Sequence, residues 1–185
     1  MRASSQHLVR VLAGAVLALA AGVAAAADAD ARGLLSRMAE TMRGGAYEGT
    51  LVYQQGDRID SMSLIHGWLD GSEHERLRTL SGEPFELIRA GDEVTCVWPD
   101  DERALVSQRP GKVSPLRSLT ELDELPAMYA ATLGASDPVA GRDAQIVEIR
   151  AHDDLRYGYR MWIDPASHLL LRYDLLASDG TPLER

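Results

Sequence analysis

A histidine and a glutamate stand side by side at His74 and Glu75, which is how the zinc-binding motif H-E-x-x-H begins. In that motif a second histidine one helical turn later completes the pair of zinc ligands, and the glutamate acts as general base. Here the required position holds Arg78, so the motif is incomplete. The other histidines beyond the N-terminal segment stand singly, at His66, His152 and His168. We therefore predict no metal site.

Motifs for nucleophilic and nucleotide chemistry are missing as well. The sequence contains no G-x-S-x-G elbow, no P-loop and no dinucleotide-binding fingerprint. The acidic pairs Asp100–Asp101 and Asp153–Asp154 could bind calcium or flank a sugar, but both fall in predicted turns, where solvated carboxylates are common. A hydrolase thus has no motif to support it, and we predict a protein without catalytic residues or cofactors.

The informative side chains are apolar and aromatic ones at alternate positions of strand-like runs. Side chains with this spacing share one face of a strand, and several such strands can form a barrel or half-barrel. Its interior is either a filled core or a concavity open to a ligand, and the sequence leaves both alternatives open. We select seven residues as candidates for a ligand-binding concave face: Tyr53, Met62, Leu64, Tyr157, Tyr159, Met161 and Tyr173.

The N-terminus has the layout of a secretory signal peptide. Two arginines precede an apolar run from Val11 to Ala27 that ends in small side chains, so we expect cleavage after Ala27. The part of this run before its alanine stretch is short for a membrane span, which needs about 20 residues. We therefore predict that residues 1–27 are a signal peptide and that residues 28–185 are one exported domain without stable membrane insertion.

Charge and cysteine content narrow the range of partners. The formal net charge is −9, and loss of Arg2 and Arg10 with the signal peptide lowers it from −9 to −11. An acidic chain lacks the basic surface that phosphate backbones require, so we exclude nucleic acid as a partner. The single cysteine, Cys96, lies in an apolar strand-like run and has no second cysteine to pair with, so we expect a buried thiol.

Helical spacing gives way to strand spacing along the domain. Leu34, Leu35, Met38 and Met42 repeat at helical intervals and predict an amphipathic helix that ends at a glycine pair. From Tyr47 onward the apolar period changes to two, and turn residues recur about every ten positions, which is typical of an antiparallel meander. Six strands are predicted first: Tyr47–Gln54, Ile59–Leu69, Glu75–Leu80, Phe85–Arg89, Val94–Trp98 and Arg103–Gln108.

A second helix and more strands are predicted in the remainder. The segment Leu119–Leu133 returns to helical spacing and has Gly134 as a C-terminal stop. The chain ends soon after a turn at Ser178–Gly180, where another strand would begin, so we expect a truncated sequence whose last hairpin leaves an exposed sheet edge. The three strands between these features are Ala144–His152, Arg156–Ile163 and Leu169–Leu176.

Two stretches of the sequence resemble the N-terminal domain of the RseB/MucB family. One is Arg156–Pro165 (RYGYRMWIDP), which continues to Leu169–Leu171. The resemblance covers nearly all of the predicted mature chain, and the two stretches occur in the family's order. The other stretch is Tyr47–Tyr53 (YEGTLVY), followed by Met62, His66, Glu75–Leu77, Glu86–Arg89, Cys96 and Pro99.

The resemblance implies both a fold and a task. The family's N-terminal domain is similar to the lipoprotein carriers LolA and LolB, a mainly β (α+β) half-open antiparallel barrel covered by two or more helices. The implied task is negative regulation of the envelope-stress sigma factor pathway in the periplasm. The implied partners are the periplasmic domain of an RseA/MucA-like anti-sigma factor and lipid or lipoprotein acyl chains, which the protein would sense through a hydrophobic concavity.

Two further expectations come with the resemblance. The family has a smaller C-terminal domain that helps to grip the anti-sigma factor, and no such domain follows Arg185 in this sequence. The alternative function is a periplasmic carrier of lipids or lipoproteins of the LolA type, which would transfer its ligand to an acceptor.

Overall fold

The computed structural model describes residues 27–108 and 125–185, and this part of the chain begins with an α-helix, α1, over residues 27–44. The helix follows the apolar repeat that predicted it. It ends where the Gly45 N–H donates a hydrogen bond to the Thr41 carbonyl at 2.8 Å. A Cβ atom at Gly45 would lie 2.6 Å from that carbonyl oxygen, so the position requires glycine.

Within the described residues eleven strands follow the helix, most of them within two residues of their predicted bounds. A short 3₁₀ turn at Pro99–Asp101 separates the fifth and sixth strands. The strands are β1 (Tyr47–Gln55), β2 (Arg58–Leu69), β3 (Ser72–Ser81), β4 (Glu86–Ala90), β5 (Glu93–Trp98), β6 (Arg103–Ser107), β7 (Tyr129–Ser136), β8 (Gln145–Ala151), β9 (Gly158–Ile163), β10 (Leu170–Leu176) and β11 (Pro182–Glu184).

All eleven strands belong to one antiparallel sheet with the order β6-β5-β4-β3-β2-β1-β11-β10-β9-β8-β7. The strands at the two ends of this order, β6 and β7, are not paired with each other within the described residues. The sheet therefore curves as an open barrel whose concave face receives α1. The predicted fold, a mainly β half-open antiparallel barrel, is confirmed.

The helix packs against both halves of the sheet. Its residues Leu35 and Met38 are completely buried. They join one apolar cluster with Leu77 on β3, in the first half of the sheet, and with Ile149 on β8, in the second half. Because α1 shares one apolar cluster with both halves, we expect it to help hold the open barrel together.

The first turn of α1 is fastened to the edge strand β7. Arg32 donates hydrogen bonds to the carbonyl oxygens of Leu125 at 2.8 Å and Tyr129 at 2.6 Å. The Asp28 carboxylate accepts the Ala131 N–H at 2.7 Å and pairs with Arg32 at 2.6 Å. These contacts occupy backbone groups that an edge strand would otherwise expose.

The second helix predicted over Leu119–Leu133 is wrong in its last part, which is strand β7. Residues 119–124 lie outside the described residues. The alternating side chains of Ala131 and Leu133 instead pair with Ile149 and Val147 on β8, so tertiary pairing overrides the helical spacing. One α-helix is present in the described part of the chain, against the two or more expected.

The last strand of the described chain has a partner on each side. Strand β11 pairs with β10 through Leu175 and Glu184, and with β1 through Gln55 and Glu184. The short strand β11 thereby lies between the two halves of the sheet and connects them. The pattern of a hairpin at Ser178–Gly180 was visible in the sequence, but the second partner, β1, lies more than a hundred residues earlier.

Candidate functional site

Three of the seven candidate residues lie in the core on the concave face. Leu64 and Met161 are buried within the apolar cluster that contains α1, and Met62 is partly buried against it. Met161 on β9 is flanked by Tyr173 on β10 and by Val147 on β8. These positions are packed in the core together with α1.

Three of the four candidate tyrosines surround this core while staying partly accessible. Tyr159 and Tyr173 pack against the apolar cluster, and burial raises the pKa of each phenol above its usual value. Tyr53 on β1 is also partly buried, and the Glu184 carboxylate is near enough to influence its phenol. Burial is the main cause of the raised pKa of Tyr53, with Glu184 next.

The fourth tyrosine, Tyr157, stands apart from the other candidates. It precedes β9, is 56% exposed and does not belong to the apolar cluster. The preceding loop is held by Asp153, which accepts the Leu155 N–H at 3.0 Å and pairs with Arg156. Strand β9 begins after this loop, at Gly158, two residues after the predicted start.

A cavity of about 210 Å³ opens beside Met62 at one end of the concave face. Its aromatic wall consists of Phe85 and Trp98, whose ring centroids are 5.3 Å apart. The Arg103 guanidinium lies 4.2 Å from the Trp98 ring centroid, and Arg58 stands at the rim. We call this cavity, with Met62, Phe85 and Trp98 as its apolar lining, the mouth cavity.

Sequence reasoning selected Met62 but not the other two members of the mouth cavity. Trp98 ends a predicted strand, and Phe85 is the only phenylalanine in the sequence. The pairing of β4 with β5 indicates that these two side chains lie together. It places Leu87 opposite Cys96, and so puts Phe85 and Trp98 on the same face at the same end of the two strands. The pairing register was needed to predict this.

A row of polar side chains is buried at the opposite end of the concave face. The His66 imidazole is 3% exposed, stacks on Tyr47 with 4.7 Å between ring centroids, and bonds the Gly45 carbonyl oxygen at 2.8 Å. Its other ring nitrogen lies 3.3 Å from the Glu73 carboxylate. His66 therefore has a packing role.

The described residues 27–108 and 125–185 contain no group of three or more histidine, cysteine or acidic side chains placed to hold a metal ion. Within the same ranges, no helix combines the length and the apolar character that crossing a membrane requires. The thiol of Cys96 is buried, and burial raises its pKa. The concave face thus combines an apolar cluster with buried polar groups, and the mouth cavity has both apolar and polar lining residues.

Comparison with known proteins finds close likeness to sigma factor regulators. The sigma factor AlgU regulatory protein MucB of Pseudomonas aeruginosa is 30% identical over 176 residues, which cover 95% of this chain and 53% of that protein. The sigma-E factor regulatory protein RseB of Haemophilus influenzae is 29% identical over 168 residues, which cover 90% of this chain and 53% of that protein. The chain thus spans about half the length of these relatives.

A solved structure supports the same relationship. In the complex structure of Pseudomonas aeruginosa MucA/MucB, the matching protein is 26% identical and superimposes with a TM-score of 0.68. The match covers 84% of this chain and 54% of that chain. The family model described as the MucB/RseB N-terminal domain matches residues 30–185. The chain therefore belongs to the MucB/RseB N-terminal domain family.

Proposed function

We propose that this chain is the sensing module of a periplasmic negative regulator of an envelope-stress sigma factor, and that it binds the periplasmic segment of an anti-sigma factor. The observation that carries the proposal is the likeness to MucB, which has been solved in complex with MucA. Membership of the family over residues 30–185 and the signal-peptide pattern at the N-terminus support it. The proposed function is binding of a partner, and it includes no chemical reaction.

The sensing step uses the mouth cavity, which takes an acyl chain of a lipid or lipoprotein. Met62, Phe85 and Trp98 supply its apolar wall. Burial of an acyl chain there contributes about 25 cal/mol for each Å² of apolar surface removed from water. Arg58 and Arg103 stand half-exposed or more beside the opening. Arg58 is paired with Asp60 at 2.6 Å and Arg103 with Asp101 at 3.6 Å, and each guanidinium keeps further N–H donors for an anionic head group.

Protection of the anti-sigma factor from proteolysis tests the proposal. The periplasmic segment of the host's anti-sigma factor is digested with its first cutting protease, with and without the chain, in the presence or absence of lipopolysaccharide. Protection that lipopolysaccharide relieves is the expected result. Lack of any protection or binding would contradict the regulator function. Saturable lipid binding that passes to acceptor vesicles, without protection, would indicate the carrier function instead.

Replacement of Trp98 by alanine tests the mouth cavity itself. We expect Trp98→Ala to weaken binding of a fluorescent long-chain acyl probe about tenfold, because the cavity loses its largest apolar wall. Trp68→Ala is the matched control, since Trp68 is 54% exposed and is not part of the cavity lining. Equal loss of affinity in both variants, or none in either, would place the acyl chain elsewhere.

A further inference from the structure

The C-terminal end of α1 is bonded to the sheet by two neighbouring aromatic side chains. The Tyr47 hydroxyl on β1 donates a hydrogen bond to the Met42 carbonyl oxygen at 3.1 Å. The His66 Nδ1 atom on β2 lies 2.8 Å from the carbonyl oxygen of Gly45, directly after the helix. The two rings are stacked, with 17° between their planes. We call Tyr47 and His66, with the two carbonyl groups that they bond, the helix clasp.

The hydrogen bonds of the His66 ring determine how many protons it carries in the clasp. A carbonyl oxygen is an acceptor, so Nδ1 must carry a proton to bond Gly45. The other ring nitrogen, Nε2, lies 3.3 Å from Oε1 of Glu73, and an ionised carboxylate is also an acceptor. The imidazolium form donates to both groups at once. In the neutral ring, the unprotonated Nε2 faces the carboxylate, and the bond to Glu73 is lost.

The charged side chains in the same row of the sheet favour the imidazolium form. Glu75 is the pairing neighbour of His66 on β3, and Arg89 follows Glu75 in this row on β4. The acidic Glu75 thus stands between His66 and the Arg89 guanidinium. Burial, followed by the charges of Glu75 and Glu73, raises the pKa of the Tyr47 phenol. The Tyr47 hydroxyl of the clasp therefore stays a neutral donor.

The helix end and the tyrosine ring also attract a positive charge. The last carbonyl groups of a helix form the negative end of its dipole. The face of an aromatic ring is negative as well, and the centroid of the Tyr47 ring lies 4.7 Å from that of the imidazole. The His66 side chain is 1% exposed, so water weakens these attractions little. The opposing cation in the last turn of α1, Arg43, is exposed to solvent.

We propose that the helix clasp is a pH-sensitive latch, which fastens the end of α1 to both β2 and β3 when His66 is protonated and releases β3 when it is not. Histidine ordinarily changes charge between about pH 5 and 8. The bond to Glu73 belongs to the protonated ring, so its contribution is present at low pH and is lost as the pH rises. Because α1 shares an apolar cluster with both halves of the sheet, the latch lets pH set how firmly the helix end is held.

Replacing Glu73 by glutamine tests the latch, because glutamine has the same shape but can also donate a hydrogen bond. Its amide N–H can bond the unprotonated Nε2 of His66, so Glu73→Gln is expected to stay latched with a neutral ring. His74→Gln is the matched control. His74 is the next residue on β3, and its side chain lies on the opposite face of the sheet from Glu73.

Amide hydrogen exchange of Gly45 measures the latch, because this N–H closes the last turn of α1. Protection factors, corrected for the intrinsic pH dependence of exchange, are compared at about pH 5.5 and about pH 8. We expect the original chain and His74→Gln to lose protection at least about fivefold on going to the higher pH. The protection factor of Glu73→Gln is expected to change by about twofold or less.

A second measurement on the original chain keeps the test valid if Glu73→Gln fails to fold. Nitrogen-15 NMR of the His66 ring is followed over the same pH range. Protons on both ring nitrogens at low pH, and on Nδ1 alone at high pH, are expected in step with the loss of protection at Gly45.

Three results would overturn the proposed latch. One is a Gly45 protection factor in the original chain that does not change with pH. Another is a neutral His66 ring that carries its proton on Nε2, because that form cannot donate to the Gly45 carbonyl oxygen. The third is a folded Glu73→Gln variant that loses protection as much as the original chain does, which would place the source of the pH dependence elsewhere.

Discussion

At the scale of residues, the turn between β9 and β10 is organised by one nearly buried carboxylate. One oxygen of Asp164 accepts the N–H groups of Ala166 and Ser167 at 2.8 and 3.2 Å. The other accepts the Arg142 Nε and Nη2 groups at 2.9 and 2.5 Å. The Arg142 guanidinium and these backbone N–H groups hold the pKa of Asp164 well below its usual range. The turn is therefore stabilised by a charge.

Replacing Asp164 by asparagine should destabilise the chain most near neutral pH. The folded-state pKa of Asp164 is depressed, so its contribution is fully present above the unfolded-state value of about 3.9 and is lost as the pH falls toward the folded-state value. We expect the difference in urea midpoint between the original chain and Asp164→Asn to shrink below about pH 4. Urea unfolding followed by circular dichroism over a pH series measures it.

The matched control for this prediction is Asp92→Asn, because Asp92 is exposed in the turn before β5. The urea midpoint of Asp92→Asn should differ little from that of the original chain at every pH. A difference for Asp164→Asn that stays constant down to pH 2 would show that the charge of Asp164 does not stabilise the turn.

At the scale of elements, α1 is the part of the chain whose packing fixes the open barrel. Its buried face includes Leu35, Met38 and Met42, while Glu40 on the opposite face is exposed. The helical spacing of these apolar residues made the helix predictable without knowledge of the sheet. What the spacing did not reveal is that one helical face contacts both halves of the sheet.

Shortening Met38 to alanine should therefore weaken the whole fold. Met38 is completely buried in the apolar cluster, so the loss of its side chain leaves a cavity and costs about 2–5 kcal/mol of unfolding free energy. Glu40→Ala is the control, because Glu40 is exposed on the opposite face of α1. It should change the free energy of unfolding by about 0.5 kcal/mol or less. Chemical denaturation of both variants measures the costs, and equal costs would contradict the role given to α1.

A strand could be predicted from the sequence where apolar and polar side chains alternate along it without interruption. Strand β5 reads Glu93–Trp98 with Val94 and Cys96 turned to the core, and it lies within one residue of its predicted bounds. Strand β7 was missed, because Ala130, Ala131 and Leu133 fit a helix as well as a strand. Pairing with β8 decided between the two, and that pairing is a tertiary contact.

At the scale of the whole molecule, β11 joins the two halves of the sheet through strand pairing, and one apolar cluster that includes α1 spans both halves. The two halves share one core, since residues of α1, of β2–β5 and of β7–β9 belong to the same apolar cluster. Loss of the helix contact would expose both inner faces at once. The domain is thus expected to unfold in one cooperative transition.

The single thiol reports on this transition. Cys96 is 7% exposed and burial raises the pKa of its thiol, so both access and thiolate content limit its reaction. We expect a thiol reagent to label Cys96 in urea with the same midpoint as the loss of circular dichroism. Labelling that begins at much lower urea would show that the first half of the sheet opens separately, which would contradict a shared core.

The sequence by itself determined the local features of this protein: the signal-peptide pattern, the helix before Tyr47, most strands, the absence of catalytic motifs and the family resemblance. These follow from spacing and residue type along short stretches of chain. The mouth cavity formed by Phe85 and Trp98 and the pairing of β11 with β1 were decided by the tertiary structure alone. Each depends on strand register between distant residues, which local spacing does not encode.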